Sequence, residues 1–431
     1  MQHIEIIILV VSFVILLSIG VPISYSIGIS SLLTMLFSIS TLPSLTTVAE
    51  RMATGLDSFA LLAIPFFILA GQLMNSGGIA RRLIDFAKVI VGKLPGGLAF
   101  VNIIAAMFFG AISGSAVAAA SAIGEVMTPE MEREGYDKSF SAAVNITSAT
   151  TGLIIPPSNI LIVYSLASGG VSIAALFIAG YIPGIIIGLA LMAVAFVFAK
   201  KHNYKSDYKI TLSEGLKKFL EAIPSLLLVI IVIGGIVAGY FTATEASAIA
   251  VFYALILSFI YREISVRDLP KILLSSASTT AIVMLLIATS MAMSWVMAFE
   301  NIPQNVAGFL VSISDHTFVI LLIINLILLA VGTFMDMTPA VLIFTPIFLP
   351  IAIKLGIDPI QFGIVMVMNL SIGLCTPPVG SVLFVGCSVA RLPITKVIKP
   401  LIPMFIAMII ALMLVTYIPQ LSLFLPRLFG Y

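Results

Sequence analysis

Two long apolar segments of this 431-residue chain are each interrupted near the middle by a Pro-Pro pair, and the interruptions lie 221 residues apart. The first reads Thr-Gly-Leu-Ile-Ile-Pro-Pro-Ser-Asn from Thr151, and the second reads Ile-Gly-Leu-Cys-Thr-Pro-Pro-Val-Gly from Ile372. Upstream, at the same offset, Gly-Tyr-Asp ending at Asp137 corresponds to Gly-Ile-Asp ending at Asp358. Because proline removes a backbone donor and disrupts the preceding helical turn, each pair predicts a broken helix. The pattern therefore predicts two related halves, each with one broken apolar helix.

Composition restricts the class of protein. Hydrophobic residues make up 61% of the chain and charged residues 9%, whereas soluble domains carry about 25% charge. Apolar segments of about 17–25 residues, the length needed to cross a bilayer, recur throughout, so we predict an all-α polytopic membrane protein. The first segment lacks a basic leader and a cleavage site, which predicts a retained helix. Ten spans are predicted, near residues 4–20, 22–40, 58–75, 138–165, 172–199, 221–240, 243–261, 272–298, 356–390 and 394–425.

Two further apolar regions, about 96–131 and 314–352, are interrupted at their centres by Ser113-Gly114-Ser115 and by Asp336. Each is interpreted as a re-entrant hairpin, which enters and leaves the membrane on one side. With the N-terminus outside, eighteen Lys and Arg residues fall in cytoplasmic loops and three in outer loops, in agreement with the positive-inside rule. The two hairpins then enter from opposite sides, which predicts two inverted-topology repeats.

These predictions define a domain organisation. The first repeat is expected at 1–199, with its hairpin at about 96–131 and its broken helix at about 138–165. A cytoplasmic amphipathic linker with six lysines is expected at 200–220, where it could touch anionic lipid headgroups. The second repeat is expected at 221–431, with its hairpin at about 314–352 and its broken helix at about 356–390.

The two helix breaks point to binding chemistry. Unwound backbone inside a membrane is tolerated only where it is buried in protein or lines a cavity. Carbonyl and hydroxyl oxygens in such a cavity suit a hard cation such as Na⁺, and helix N-termini suit an anion. Two cation sites are therefore predicted, although the prolines could instead only kink packed helices whose loose carbonyls are capped by hydroxyl groups. The oxygen-bearing side chains near the breaks are Thr150, Thr151, Ser158 and Asn159 in one half, and Ser371, Thr376 and Ser381 in the other.

Asp336 is the most informative single residue. It is expected near the membrane midplane, where an unpaired carboxylate costs about 2.5–3.5 kcal/mol. No basic residue lies nearby in the sequence, so a bound cation would supply the missing charge. The alternative is a protonated or water-exposed carboxyl group at the hairpin tip. Three intramembrane amides, Asn145, Asn325 and Asn369, are instead expected to form interhelical hydrogen bonds.

Other functional classes have no signature here. No strand precedes Gly77-Gly78 and the chain has no GKS/T pattern, so ATP hydrolysis is not expected. With three His and neither a CxxC nor an HExxH motif, a transition-metal site is not expected either. No nucleophile–base motif suggests an enzyme, and a net charge of +2 gives no reason to expect a nucleic-acid partner. A channel is disfavoured because broken hairpins suit occlusion better than a continuous pore.

Seven motifs, in order along essentially the whole chain, resemble the large membrane (M) permease subunit of TRAP (tripartite ATP-independent periplasmic) transporters. Only Thr242-Ala-Thr-Glu departs from the family's usual Pro-Thr-Glu, and we do not expect this to change the function. The motifs are Asp57-Ser-Phe-Ala-Leu-Leu-Ala-Ile-Pro-Phe-Phe-Ile-Leu-Ala-Gly71, Gly77-Gly-Ile-Ala-Arg-Arg82, Ser113-Gly-Ser-Ala-Val-Ala118, Gly152-x-x-x-Pro-Pro-Ser-Asn159, Thr242-Ala-Thr-Glu-Ala246, Asp336-Met-Thr-Pro339 and Gly373-x-x-Thr-Pro-Pro-Val-Gly380.

The resemblance implies a fold of the ion-transporter superfamily and an elevator mechanism, in which a hairpin-bearing domain moves against a scaffold. It implies Na⁺-coupled uptake of an organic acid, such as sialic acid or a C4-dicarboxylate, across a bacterial inner membrane. The implied partners are a small membrane (Q) subunit and a periplasmic substrate-binding (P) protein. A binding-protein-independent Na⁺/organic anion symporter of the same broad fold is the alternative.

The same resemblance implies particular site residues. Substrate is expected between two Na⁺ sites, near Asn159, Gly380 and Ser381. The first Na⁺ site would comprise Ser113, Gly114, Ser115, Pro156, Ser158 and Asn159, and the second Gly332, Asp336, Thr338, Thr376 and Pro377.

Overall fold

The structure, a computed structural model, describes residues 4–204, 211–314 and 316–431, and no strand occurs in these three ranges. A short 3₁₀ turn, Phe59–Leu62, leads into the fourth of the twenty α-helices found there. The helices are α1 (Ile4–Ser18), α2 (Ile23–Ser38), α3 (Thr41–Gly55), α4 (Ala63–Ser76), α5 (Ile79–Val91), α6 (Gly97–Ser113), α7 (Ala116–Arg133), α8 (Lys138–Thr151), α9 (Asn159–Ala167), α10 (Ile173–His202), α11 (Leu212–Val237), α12 (Ala243–Ile260), α13 (Leu269–Phe299), α14 (Ile302–Ile313), α15 (Thr317–Phe334), α16 (Met337–Lys354), α17 (Pro359–Gly373), α18 (Ser381–Val389), α19 (Ile394–Tyr417) and α20 (Gln420–Leu428).

Helix length and surface chemistry both fit a bilayer. Within the described ranges, eight helical segments are long and apolar enough to cross a membrane. Large apolar side chains such as Leu189 on α10, Ile230 on α11 and Ile410 on α19 are more than half exposed, which is favourable when lipid covers them. The chain is therefore a multi-pass membrane protein. The eight segments comprise α4 with its 3₁₀ turn, α10, α11, α12, α13, α15, α16 and α19.

The two predicted hairpin interruptions coincide with helix boundaries. Helix α6 ends at Ser113, and Gly114 adopts a left-handed conformation with φ of +63°. The Ser115 hydroxyl then caps α7 by accepting the Ala118 N–H at 3.2 Å. In the other half, Asp336 caps α16 and accepts the Met337 N–H at 2.9 Å. A short polar side chain at the N-cap thus stabilises the first turn of α7 and of α16.

The two predicted broken helices are also discontinuous. Helix α8 stops at Thr151 before α9 begins, and α17 stops at Gly373 before α18 begins. The Pro-Pro peptide bond between the two segments is cis in both halves. The upstream caps match as well, since Asp137 accepts the Phe140 N–H at 2.9 Å and Asp358 accepts the Ile360 N–H at 2.8 Å.

Glycine pairs bring each hairpin against its broken helix. A Cβ atom on Gly152 would lie 2.6 Å from the carbonyl carbon of Gly110 on α6. A Cβ atom on Gly373 would lie 2.6 Å from the carbonyl carbon of Gly332 on α15. Carbon atoms pack best at about 3.5–4.0 Å, so only glycine permits these backbone contacts. Both halves therefore have a pair of glycines where the hairpin backbone contacts the broken helix.

Three short helices, α3, α5 and α14, lie outside all the predicted spans. The predicted span 394–425 was wrong in its extent, because α19 ends at Tyr417 and α20 starts three residues later. Part of the predicted linker 200–220 belongs to the end of α10 and the start of α11, whereas residues 205–210 lie outside the described residues.

Candidate functional site

A cavity of about 310 Å³ lies where elements of both halves meet. Its walls come from the tips of the two helix pairs α6–α7 and α15–α16, from the start of α9, and from α4 and α13. Two hydroxyl residues, Ser113 and Ser115, lie on one tip, and Asp336 and Thr338 lie on the other. The fold therefore brings together polar residues that are more than 200 positions apart in the sequence.

Six of the residues predicted for the two cation sites line this cavity. They are Ser113, Gly114, Ser115, Asn159, Asp336 and Thr338. Of the three residues expected near substrate, only Asn159 lies among those lining the cavity. The remaining predicted residues lie outside this lining, and they are Pro156, Ser158, Gly332, Thr376, Pro377, Gly380 and Ser381.

The first tip contacts both α9 and α4. A Cβ atom on Gly114 would lie 2.7 Å from Nδ2 of Asn159, so glycine permits the close approach of the loop to this amide. On the other side, a Cβ atom on Gly71 of α4 would lie 3.0 Å from the carbonyl oxygen of Ser113. The tip is therefore held between the first residue of α9 and the backbone of α4.

In the first helix break, a side-chain hydroxyl group donates a hydrogen bond to a backbone carbonyl. The buried hydroxyl of Ser158 donates to the carbonyl oxygen of Leu153. Pro156 lies beside α10, where a Cβ atom on Gly180 would be 3.6 Å from the proline Cδ. Ser158 and Pro156 thus shape the segment that leads into Asn159.

In the second helix break, the carbonyl at the corresponding position, that of Leu374, accepts hydrogen bonds from backbone N–H groups instead. The oxygen of Leu374 accepts the backbone N–H groups of Val382 at 3.1 Å and Leu383 at 3.4 Å. The Thr376 hydroxyl donates to the carbonyl of Ile372 at 2.8 Å. Gly380 is required here because a Cβ atom would lie 2.9 Å from the Thr376 carbonyl oxygen. The two breaks therefore share their position but differ in their internal hydrogen bonds.

Asp336 places an ionisable carboxyl group on the cavity wall, and its side chain is exposed there. One carboxylate oxygen accepts the Met337 N–H, and no ion pair joins Asp336 to any Lys, Arg or His in the described ranges. Among the residues that the structure describes, no Lys, Arg or His lines the cavity. The Asp336 carboxyl group thus lines a partly apolar cavity between helices, and no cationic side chain of the described residues lies against it.

The donor atoms around the cavity are mainly oxygen. Those from the predicted site residues are the Asp336 carboxylate, the Ser113, Ser115 and Thr338 hydroxyls, and the Asn159 amide. In the described residues, no three His, Cys, Asp or Glu side chains cluster as a metal site. A set with one carboxylate and several neutral oxygens suits a hard, weakly held cation.

Three polar residues on the cavity wall were missed by the sequence analysis, namely Gln72 and Asn75 on α4 and Thr279 on α13. Nothing in their local sequence distinguishes them from residues that face another helix. Their position on the wall depends on how α4 and α13 pack against the two tips.

The three amides expected to bond between helices do so. Asn145 donates to the Ala120 carbonyl at 2.7 Å, and Asn369 donates to Asn325 Oδ1 at 2.7 Å. Asn325 in turn donates to the Thr416 hydroxyl at 3.2 Å. These amides hold hairpin, broken helix and α19 together, and their interhelical role is confirmed.

The sequence matches the family model described as "Tripartite ATP-independent periplasmic transporter, DctM component" over residues 10–421. The uncharacterised protein YgiK of Salmonella typhimurium is 58% identical, with 99% of this chain and 98% of that protein aligned. The C4-dicarboxylate TRAP transporter large permease protein DctM of Rhodobacter capsulatus is 40% identical, with 95% and 96% aligned. The sialic acid TRAP transporter large permease protein SiaM of Vibrio cholerae is 39% identical, with 96% and 97% aligned.

The fold is similar to that of a solved transporter of distant sequence. The YdaH transporter of Alcanivorax borkumensis superposes with a TM-score of 0.66 at 11% identity, covering 87% of this chain and 88% of that one. Two of the relatives above are permeases by name, so the chain is a transport protein rather than an enzyme. It belongs to the DctM family, the large permease subunits of the tripartite ATP-independent periplasmic transporters.

Proposed function

We propose that this permease catalyses Na⁺-coupled uptake of an organic acid across the bacterial inner membrane. A periplasmic substrate-binding protein would deliver the acid, and a small membrane subunit would complete the permease. The tripartite composition of the family supports the two partners. The helical segments long enough to span a bilayer support a multi-pass location.

The substrate is proposed to be an acid with a second polar group. One relative is named for C4-dicarboxylates, which carry two carboxylates, and another for sialic acid, which carries hydroxyl and amide groups beside its carboxylate. A cavity of about 310 Å³ is at the lower end of the usual range for small-molecule sites. A compact organic acid fits this size.

Asp336 is the observation that carries the proposal of Na⁺ coupling. Its carboxylate faces the cavity, and no protein cation balances its charge in the described residues. An unbalanced carboxylate is unfavourable between membrane helices, so a cation from solution would stabilise it. The nearby hydroxyl and carbonyl oxygens suit Na⁺ rather than a transition metal.

Two Na⁺ sites are proposed, one beside each helix break. Ser113, Gly114, Ser115, Pro156, Ser158 and Asn159 would form the first. Gly332, Asp336, Thr338, Thr376 and Pro377 would form the second. Residues that do not line the cavity would contribute by shaping the backbone of the breaks.

The substrate carboxylate is proposed to lie at the N-terminal end of α9. Asn159, Ile160 and Val163 of this helix line the cavity, and a helix N-terminus stabilises negative charge. Gly380 and Ser381 occupy the equivalent place at the start of α18 and would contribute from the second half. Bound Na⁺ near Asp336 would remove the repulsion between that residue and the acid, which links the two binding events.

The proposed architecture consists of two inverted repeats, 1–199 and 221–431, joined by the linker 200–220. The order hairpin, broken helix, long helix recurs as α6–α10 and as α15–α19. The matched glycine contacts Gly110–Gly152 and Gly332–Gly373 support this repeat. In the proposed elevator mechanism, the hairpins and broken helices move together against a scaffold that contains α4 and α11–α13.

The test is uptake into proteoliposomes that contain this chain and its small subunit. Labelled succinate and N-acetylneuraminate are offered with and without an inward Na⁺ gradient and the purified binding protein. Uptake that needs both supports the proposal. Na⁺-driven uptake without the binding protein would instead support the independent symporter, and uptake indifferent to Na⁺ would exclude the coupling.

Asp336→Asn tests the proposed role of the carboxylate. Asn caps a helix about as well as Asp, so the variant removes the charge but keeps the cap. A unit charge at 4 Å contributes about 4 kcal/mol at an effective dielectric constant of 20, so we expect the Na⁺ concentration for half-maximal uptake to rise at least tenfold. Asp358→Asn, a helix cap outside the cavity lining, is the matched control. Unchanged Na⁺ activation in Asp336→Asn would refute the role.

A further inference from the structure

Helix α4 presents one continuous stripe to the cavity. Ile64, Ile68, Gly71, Gln72 and Asn75 all line it, with spacings of three or four residues or, for one pair, adjacent positions. Such spacing places residues on one helix face. The stripe is apolar over its first half and carries two amides over its second, so this wall of the cavity has an apolar part and a polar part.

The two amides have unused hydrogen-bonding capacity. Gln72 is half-buried and Asn75 is exposed, and neither side chain makes a hydrogen bond to the described part of the chain. In contrast, Gln361 donates to the Thr416 carbonyl at 2.9 Å, and Asn145 donates to Ala120. A side-chain amide in a membrane helix requires polar partners, and the cavity that both residues line can supply them as water or as a bound molecule.

The amides also line the same cavity as Asn159, the residue that is assigned to acid binding. Gly71, the residue before Gln72, approaches the Ser113 carbonyl so closely that a Cβ atom would lie 3.0 Å from it. Gln72 and Asn75 line the same cavity as Asn159 at the N-terminus of α9. One bound molecule can therefore contact both groups.

We propose that Gln72 and Asn75 form a second subsite, which hydrogen-bonds the second polar group of the transported acid. This inference rests on the proposed function, in which the first carboxylate lies at Asn159. An amide offers both an N–H donor and a carbonyl acceptor. The pair can therefore recognise a hydroxyl, an amide or a second carboxylate, while Ile64 and Ile68 contact the carbon skeleton between the two polar ends.

The experiment compares Gln72→Leu and Asn75→Leu with Gln420→Leu in the proteoliposome assay with the binding protein. Gln420 is an exposed amide at the start of α20 that does not line the cavity, so its variant controls for the change of side chain. The probe is whichever of succinate and N-acetylneuraminate the wild-type permease transports. The measurements are KM for that acid, half-saturation by Na⁺ at saturating acid, and the thermal midpoint of the purified protein.

We expect KM to rise about 3- to 10-fold in each cavity variant, the effect of losing one hydrogen bond. Na⁺ half-saturation and the thermal midpoint should match those of Gln420→Leu. Unchanged KM in both variants, with normal wild-type uptake, would overturn the second subsite alone. A fall in thermal midpoint without a rise in KM would assign the amides a structural role and overturn it too. Absence of uptake by the wild type would overturn the proposed function together with this inference.

Discussion

The contact between each hairpin and its broken helix can be tested by adding one methyl group. Gly152→Ala and Gly373→Ala would each place a Cβ atom 2.6 Å from a backbone carbonyl carbon, of Gly110 and Gly332 respectively. The optimal separation of two carbon atoms is about 3.5–4.0 Å, so the overlap is about 1 Å. Because the opposing atoms belong to the backbone, no rotation of a side chain can relieve it.

The expected cost follows from this geometry. Inserting a methyl group into a well-packed interior costs about 1–3 kcal/mol, and contacts with rigid backbone belong at the upper end of this range. Replacing Gly by Ala also lowers the conformational entropy of the unfolded chain, which stabilises the folded protein by about 0.4–1 kcal/mol. We therefore expect a net destabilisation of about 2 kcal/mol in each variant, with similar values for the two halves.

The assay is the thermal midpoint of unfolding of the purified permease, measured by fluorescence. Size-exclusion chromatography after heating then shows whether the protein still elutes as a monodisperse peak. Gly234→Ala and Gly308→Ala are matched controls, since both glycines are helical and a Cβ atom would meet nothing within 4 Å. These controls should be neutral or slightly stabilised. If Gly152→Ala and Gly373→Ala behave like the controls, the hairpins do not pack directly on the broken helices and the reasoning fails.

Two further predictions concern transport and topology. Pro156→Ala and Pro377→Ala should each reduce Na⁺-driven uptake, because each removes one of the two prolines that shape the backbone of a break beside a proposed ion site. If both variants transport like the wild type, the breaks serve packing only. A single cysteine at Lys217 in a chain without its native cysteines should react with an impermeant maleimide only from the cytoplasmic side. Labelling of intact cells from the periplasm would reverse the predicted orientation.

The positions of the breaks were predictable because their causes are local. A Pro-Pro pair interrupts a helix in almost any surroundings. A short polar residue after an interruption caps the next helix, as Ser115 and Asp336 do. The short helices α3, α5 and α14 were not predicted, because none has a continuous apolar stretch long enough to span a bilayer.

The site itself was predictable only in part. Asp336 was identified because a carboxylate inside an apolar segment is unfavourable wherever that segment packs. Gln72, Asn75 and Thr279 gave no such signal, since a polar residue near a helix end can equally face water, a lipid headgroup or another helix. Their role depends on which face α4 and α13 turn towards the two hairpin tips.

By itself, the sequence determined the membrane class, the repeated breaks and the family, because hydropathy, proline and local motifs act over short distances. Only the tertiary structure decided that Ser113 and Asp336 line a single cavity, although more than 200 residues separate them. It also decided that glycine pairs set the distance between hairpin and broken helix. The physical reason is that these contacts depend on the packing of helices distant in sequence, which short-range patterns do not encode.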